Sequence, residues 1–309
     1  MARFVVPILL LLVGVDAMGQ RPAHGQSRGG EPAWIFVRES VFNHLIIRRD
    51  GSIVSFRRQE NGGTVSAIDL DNPRRQVMPY TPILFAPALV KCCPSSVLNI
   101  GLGAGAFDRL FETAFPQSRL VSVEIDPMVV EVAETYTAFR RGPKAEVVIA
   151  DGRRYLSQSR GRWDWIVVDA FVRKSQIPVH LTTREFFELA RSRLSPGGVF
   201  VVNVVGSRSA LFHAYLKTLT AAFAQVAFFP VRQRPNVIAM GVAFKDPDLM
   251  KLIGDANPAR LPDLAAWGVD FQAIQKSAVP VSAYPLSPTT KGLTDDFAPV
   301  EILDARPPR

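Results

Sequence analysis

Gly101-Leu102-Gly103-Ala104-Gly105 follows the apolar run Ser95 to Ile100 and opens an amphipathic stretch. Glycines at Gly101, Gly103 and Gly105, in a turn from strand to helix, let backbone approach a ligand closely while helix N–H groups point at it. Glu124 stands about twenty residues on, at the end of the next apolar run, where a carboxylate can accept from both hydroxyls of a ribose. Asp151-Gly152 and Asp169 close the two runs after that. A glycine turn alone is compatible with packing, and Asp151 alone with a helix cap. A glycine loop, a Glu and two Asp leaving four successive strand ends point to one crevice, because open α/β sheets bind ligands at the carboxyl edges of their strands. Such a set can hold an adenosine and accept a proton.

The elements that must position these residues alternate. Apolar strands are expected at 95–100, 120–124, 145–149, 163–169, 198–205, 227–231 and 237–244, with helices at about 105–115, 127–139, 183–194 and 210–224. Strands that are apolar on both faces and separated by helices make a parallel sheet covered on both sides, so the fold class is α/β: a doubly wound, seven-stranded Rossmann-like sheet of the class I methyltransferase type. Asn43 to Arg58 carries β-branched residues on both sides of Asp50-Gly51, a tight-hairpin signal, and gives a small N-terminal β-rich domain over 34–78. The nucleoside-binding domain follows over 79–256, and a Pro-rich segment over 257–309 packs on the core. Trp163 and Trp165 read as core or domain interface, and the adjacent Cys92 and Cys93 as small core-side residues.

Residues 1–25 read as a secretory signal peptide: Met1-Ala2-Arg3, an apolar run from Phe4 to Val15, then small-residue exits at Ala17-Met18-Gly19 and Ala23-His24-Gly25. About a dozen apolar residues fall short of the ~20 that span a bilayer, so no stable membrane span is expected. Residues 26–33 are a flexible lead-in. The expected location is secreted or periplasmic, or cytoplasmic if translation starts further downstream. The net charge of +8 is scattered rather than gathered into a stripe, which fits a solvated basic surface and no nucleic-acid partner. Neither cysteine has a His or Cys at ligand spacing, so no metal is expected.

Several segments together resemble the spermidine synthase (aminopropyltransferase) family over about residues 39–301: Glu39-Ser40-Val41-Phe42-Asn43, Tyr80, the glycine loop, Val123-Glu124-Ile125-Asp126, Ala150-Asp151-Gly152, Val168-Asp169-Ala170-Phe171, Gln176-Ile177-Pro178-Val179-His180-Leu181-Thr182, Pro196-Gly197-Gly198 and Thr294-Asp295-Asp296-Phe297-Ala298-Pro299-Val300-Glu301. The resemblance implies that Asn43, the loop glycines, Glu124, Asp151 and Gly152 bind decarboxylated S-adenosylmethionine or S-adenosylmethionine itself. It implies that Tyr80, Asp169 and Gln176 meet a small amine such as putrescine, with Asp169 as proton acceptor, and a homodimer is compatible with it. Asp295 is a further candidate for holding the amine if the tail folds over the crevice. Asp126 reads instead as a helix N-cap, and His180 as an anchor packed beneath the crevice.

The chain departs from the strict enzymes at the amine. Ala104 and Val172 stand where they carry acids, Asn43 where they carry Gln, and Thr81 and Pro82 follow Tyr80 where they carry His and Glu. A dication stripped of hydration needs carboxylates, so two lost acids argue for a different acceptor. Two other functions stay open: a methyltransferase on the same fold, against which the hairpin domain and the closing TDDFAPVE segment speak, and an exported non-catalytic nucleoside- or polyamine-binding protein, which the lost acids favour.

Overall fold

Gly51, at φ +57°, occupies the first position of the loop between β2 (His44–Asp50) and β3 (Ile53–Arg57), a conformation that glycine adopts without steric cost. With β1 (Ala33–Glu39) and β4 (Thr64–Asp69) these strands form a four-stranded antiparallel sheet in sequence order. This computed structural model describes residues 33–58, 63–171, 177–206, 209–300 and residue 303; the expected signal peptide and Gln176 lie outside the described residues. Leu45, Ile47, Val54, Phe56 and Ile68 bury one face of the small sheet against Leu102 and Ala104 of the glycine loop and against Met128, Val129 and Ala133 of α2 (Pro127–Tyr136). The hairpin sheet therefore rests on the loop that the sequence marks as ligand-binding.

The second sheet runs β12-β10-β11-β9-β8-β5-β6-β7, made of β5 (Ser96–Ile100), β6 (Arg119–Glu124), β7 (Ala145–Ile149), β8 (Trp163–Val168), β9 (Leu194–Val205), β10 (Gln225–Pro230), β11 (Asn236–Val242) and β12 (Val279–Pro280). β7, β6, β5, β8 and β9 are parallel, and β11, β10 and β12 add antiparallel neighbours at one side. Seven of these strands match the expected sheet; the eighth, Val279–Pro280, is two residues on the outer edge of β10 in a tail with too little apolar alternation to announce it. Helices cover both faces. α4 (Arg184–Ser192) and α5 (Ala210–Ala222) pack with Ile100, Phe200 and Val202 on one side, and α1 (Ala106–Ala114) with α6 (Leu249–Asp255) and α7 (Phe271–Ser277) on the other. A short helix, α3 (Gly152–Gln158), absent from the sequence reading, fills the connection from β7 to β8.

Trp163 and Trp165 are fully buried, and Trp165 donates its indole N–H to the Lys91 carbonyl at 3.0 Å while meeting Phe85, Phe111 and Phe115 edge-on. The cysteines differ from the expectation: Cys93 is exposed and Cys92 only half-buried, because Cys93 sits in a turn at φ +56° just before β5. No helix among the described residues is long and apolar enough to cross a membrane, and they contain no cluster of three or more His, Cys, Asp or Glu side chains able to hold a metal.

Candidate active site

β5 is where the strand order reverses, with β6 and β7 leaving to one side and β8 and β9 to the other, and the crevice at its carboxyl end is where doubly wound sheets bind ligands. A cavity of about 480 Å³ opens there, a volume suited to a nucleoside-sized molecule. Gly101, Gly103, Glu124, Asp151, Gly152 and Asp169 line it, together with Asn43 and Tyr80. Much of its wall is apolar, with Ile100, Leu102, Val129 and Ile125 among the lining residues.

The glycines act by absence. A Cβ on Gly101, at φ +103°, would lie 2.5 Å from the Asp169 carbonyl oxygen, and one on Gly152 would lie 2.4 Å from Ile100 Cγ2. Gly105 differs from the expectation for it: it does not line the cavity, and its bare Cα accommodates the Phe139 ring, 2.4 Å from where a Cβ would stand. Four of the loop's five N–H groups are committed internally, Gly101 to Val123 O, Leu102 to Glu124 Oε2, Ala104 to Ser66 Oγ and Gly105 to Leu102 O. A phosphate cradle would keep such donors free for an anion. With most of its donors engaged, this loop chiefly supplies close approach of backbone to a ligand.

Glu124 ends β6 and is buried, which raises its pKa, while hydrogen bonds from the Leu102 and Asp126 N–H groups at 3.0 and 3.1 Å oppose that rise. One donor reaches each oxygen, so the carboxylate is fixed in place with acceptor capacity left on both. Asp126 caps α2 through the Met128 N–H at 3.0 Å, the role expected of it, and its other oxygen receives Ser40 Oγ at 2.6 Å and Asn43 Nδ2 at 2.8 Å. Asn43 therefore lines the cavity with its amide engaged by Asp126, and fastens the hairpin sheet to the nucleoside domain. Asp151 caps α3 through the Arg154 N–H at 2.8 Å and pairs with His180 Nε2 at 2.6 Å. His180 departs from the packed anchor anticipated for it: its side chain is 44% exposed and lines the cavity mouth beside Asp151.

At the other end, Asp169 leaves β8 inside the cavity. Burial lifts its carboxyl to about 6, against the hydrogen bond from Asn203 and the neighbouring Tyr80 hydroxyl, which favour the anion. Asn203 Nδ2 donates to Asp169 Oδ1 at 2.8 Å, and Asn236 Nδ2 donates to Asn203 Oδ1 at 2.9 Å, a relay from β11 through β9 that holds the carboxylate's direction. The Tyr80 hydroxyl lies against Asp169 and donates to the Val65 carbonyl at 2.9 Å; burial and that carboxylate hold its pKa well above the ordinary phenol value. Asp295 corrects its expectation. It does not line the cavity, and Arg153 grips both its oxygens at 2.7 and 2.6 Å while Thr183 donates to Oδ1 at 2.7 Å. The Arg153 guanidinium holds the Asp295 carboxyl down at about 2.

Sequence reasoning did not mark Arg58, Ser66, Asn203 or Asn236. Arg58, just past β3, lines the cavity. Its Nη2 donates to the Phe171 carbonyl, its Nη1 is buried with no partner among the described residues, and burial lowers its pKa to about 10 despite the nearby Glu124 and Asp126 carboxylates.

Fold and site together define a Rossmann-like nucleoside domain of methyltransferase type with a small antiparallel sheet seated on its glycine loop. Within that class the chain belongs to the spermine/spermidine synthase family, whose domain profile matches residues 83–246. It is 28% identical over 290 residues to the polyamine aminopropyltransferase of Vibrio vulnificus, covering 89% of this chain and 92% of that one. To the polyamine aminopropyltransferase of Neisseria meningitidis serogroup A it is 32% identical over 242 residues, 75% of this chain and 88% of the relative. The crystal structure of a probable spermidine synthase from Corynebacterium glutamicum superposes with a TM-score of 0.61 at 21% identity, covering 86% of this chain and 98% of that one, and shares the fold.

Proposed function

We propose that the protein is an aminopropyltransferase of polyamine biosynthesis, moving an aminopropyl group from decarboxylated S-adenosylmethionine to a small amine such as putrescine. The observation that carries this reading is Asp169: a carboxylate with its pKa lifted to about 6, directed by Asn203, in the same cavity as the ribose-ready Glu124. Glu124 accepts the ribose hydroxyls, Asp151 and Gly152 border the adenine, and the glycine loop admits the sugar closely. The amine's lone pair forms a bond to the carbon beside the sulfonium, the C–S bond breaks with its electron pair, and methylthioadenosine leaves. The new ammonium loses its proton to Asp169. An acceptor pKa slightly below neutrality leaves Asp169 ionised at pH 7 yet close enough to exchange protons readily. Holding the amine in line supplies most of the remaining acceleration.

Residues 1–25 enter this proposal as a signal peptide that directs the enzyme out of the cytoplasm; the mature N-terminus, read by mass spectrometry of the natural protein, tests that part. The reaction itself is tested by incubating the protein with decarboxylated S-adenosylmethionine and putrescine, or other small amines, and following methylthioadenosine release. Binding of methylthioadenosine with no release for any amine would replace the enzyme with a nucleoside-binding protein.

A further inference from the structure

Arg58 is a cation lining a cavity in which the proposed reaction already places a sulfonium and an amine. Arg234, from the turn between β10 and β11, adds to the positive field at Tyr80. Neither Glu124 nor Asp126 is hydrogen-bonded to Arg58. Glu124 is held by the Leu102 and Asp126 N–H groups, Asp126 by Met128, Ser40 and Asn43, and the hydrogen bond that Arg58 does make is to a carbonyl. A buried guanidinium with one fork nitrogen unpartnered among the described residues is costly unless an anion arrives, and its planar fork matches a carboxylate in two-point geometry.

We propose that Arg58 recognises a carboxylate brought into the cavity by one of the two substrates. This deepens the proposed transfer and rests on it. The bonds made and broken are unchanged: nitrogen joins the carbon beside sulfur, methylthioadenosine leaves, Asp169 takes the proton, and the carboxylate is carried through unreacted. Its source is either an acceptor that is an amino acid rather than a plain diamine, or a sulfonium donor that has kept its α-carboxylate, in which case the group moved is 3-amino-3-carboxypropyl in place of aminopropyl.

Calorimetry on the full chain separates these sources. One arm compares S-adenosylmethionine with its decarboxylated form. The other, with methylthioadenosine bound, compares ornithine with putrescine, the same diamine with and without a carboxylate. The expected result is a preference of about tenfold or more for the carboxylated member in one arm, the size of a charge-assisted two-point contact. R58Q should bring that ratio close to one while methylthioadenosine binding stays intact, and R58K should restore part of it. Ratios near one in both arms, or a preference that survives R58Q, overturn the proposal and leave aminopropyl transfer standing. Failure of the native protein to bind methylthioadenosine overturns the transfer reading and this inference with it.

Discussion

The two ends of the cavity are built to different standards. At the nucleoside end each carboxylate oxygen has a protein donor or a His180 partner: Glu124 between two backbone N–H groups, Asp151 between the α3 cap and His180. At the amine end Asp169 has directed help at one oxygen from Asn203, Tyr80 divides its contacts, and Arg58 keeps a nitrogen unpartnered among the described residues. A site completed by its own chain suits a ligand part that never varies, which in the proposed reaction is the adenosine. A site left partly open suits the part that distinguishes one relative from another.

The sharpest way to break the contrast is D169N. Removing the proton acceptor should lower kcat by about a hundredfold or more, with methylthioadenosine affinity unchanged, measured by product release and calorimetry side by side. A loss of nucleoside affinity as large as the loss of rate would mean the two ends are not separable. E124Q makes the reciprocal test. Its amide would set an N–H against one of two backbone donors, a loss of about 1.5–3 kcal/mol, roughly tenfold to a hundredfold in nucleoside affinity. The expected signature is a raised KM for the donor with little change in kcat.

The same contrast explains what was legible in the sequence. Glu124, Asp151 and Asp169 lie at strand ends and follow from strand order alone, because sheet topology delivers strand ends to one crevice whatever the loops do. Arg58 and Ser66 belong to the hairpin sheet, and their arrival at the cavity depends on how that sheet docks on Leu102, Ala104 and α2, information that no local pattern carries. Asn203 and Asn236 sit in or at the end of apolar strands where one polar residue reads as noise; their alignment across β9 and β11 shows only once the register is known. α3 escaped because Gly-Arg-Arg-Tyr-Leu-Ser-Gln is seven residues with little apolar periodicity, started by the Asp151 cap rather than by its own pattern.

Asn203 allows a finer test at the open end. The bond from its amide favours the Asp169 anion, so N203A should push the Asp169 pKa upward from about 6 and move the acid limb of the kcat–pH profile to higher pH, with the donor KM nearly constant. The same shift has a thermodynamic sign. A carboxyl whose pKa is raised by folding contributes stability that is fully present below its unfolded value and is lost as pH rises through the folded one. For Asp169 that loss falls between about 4 and about 6, and in N203A it should extend further up. An unmoved acid limb would mean that Asn203 serves the packing of β9 alone.

The smallest effect expected is in the tail. Asp295 meets Arg153, the second residue of α3, and Thr183 at the cap of α4, so it ties the C-terminal segment beside the nucleoside end and not across the amine. Its side chain is 43% exposed, and solvent screening limits such a pair to about 1 kcal/mol or less. Because folding depresses the Asp295 carboxyl to about 2, whatever it adds is present above about 4 and fades as pH falls toward 2. D295N should therefore lower the Tm slightly at neutral pH, lose that difference in strong acid, and leave amine affinity where it was. A fall in amine affinity without a change in Tm would bring the tail into the acceptor end after all, and the division between a closed nucleoside site and an open amine site would have to be redrawn around it.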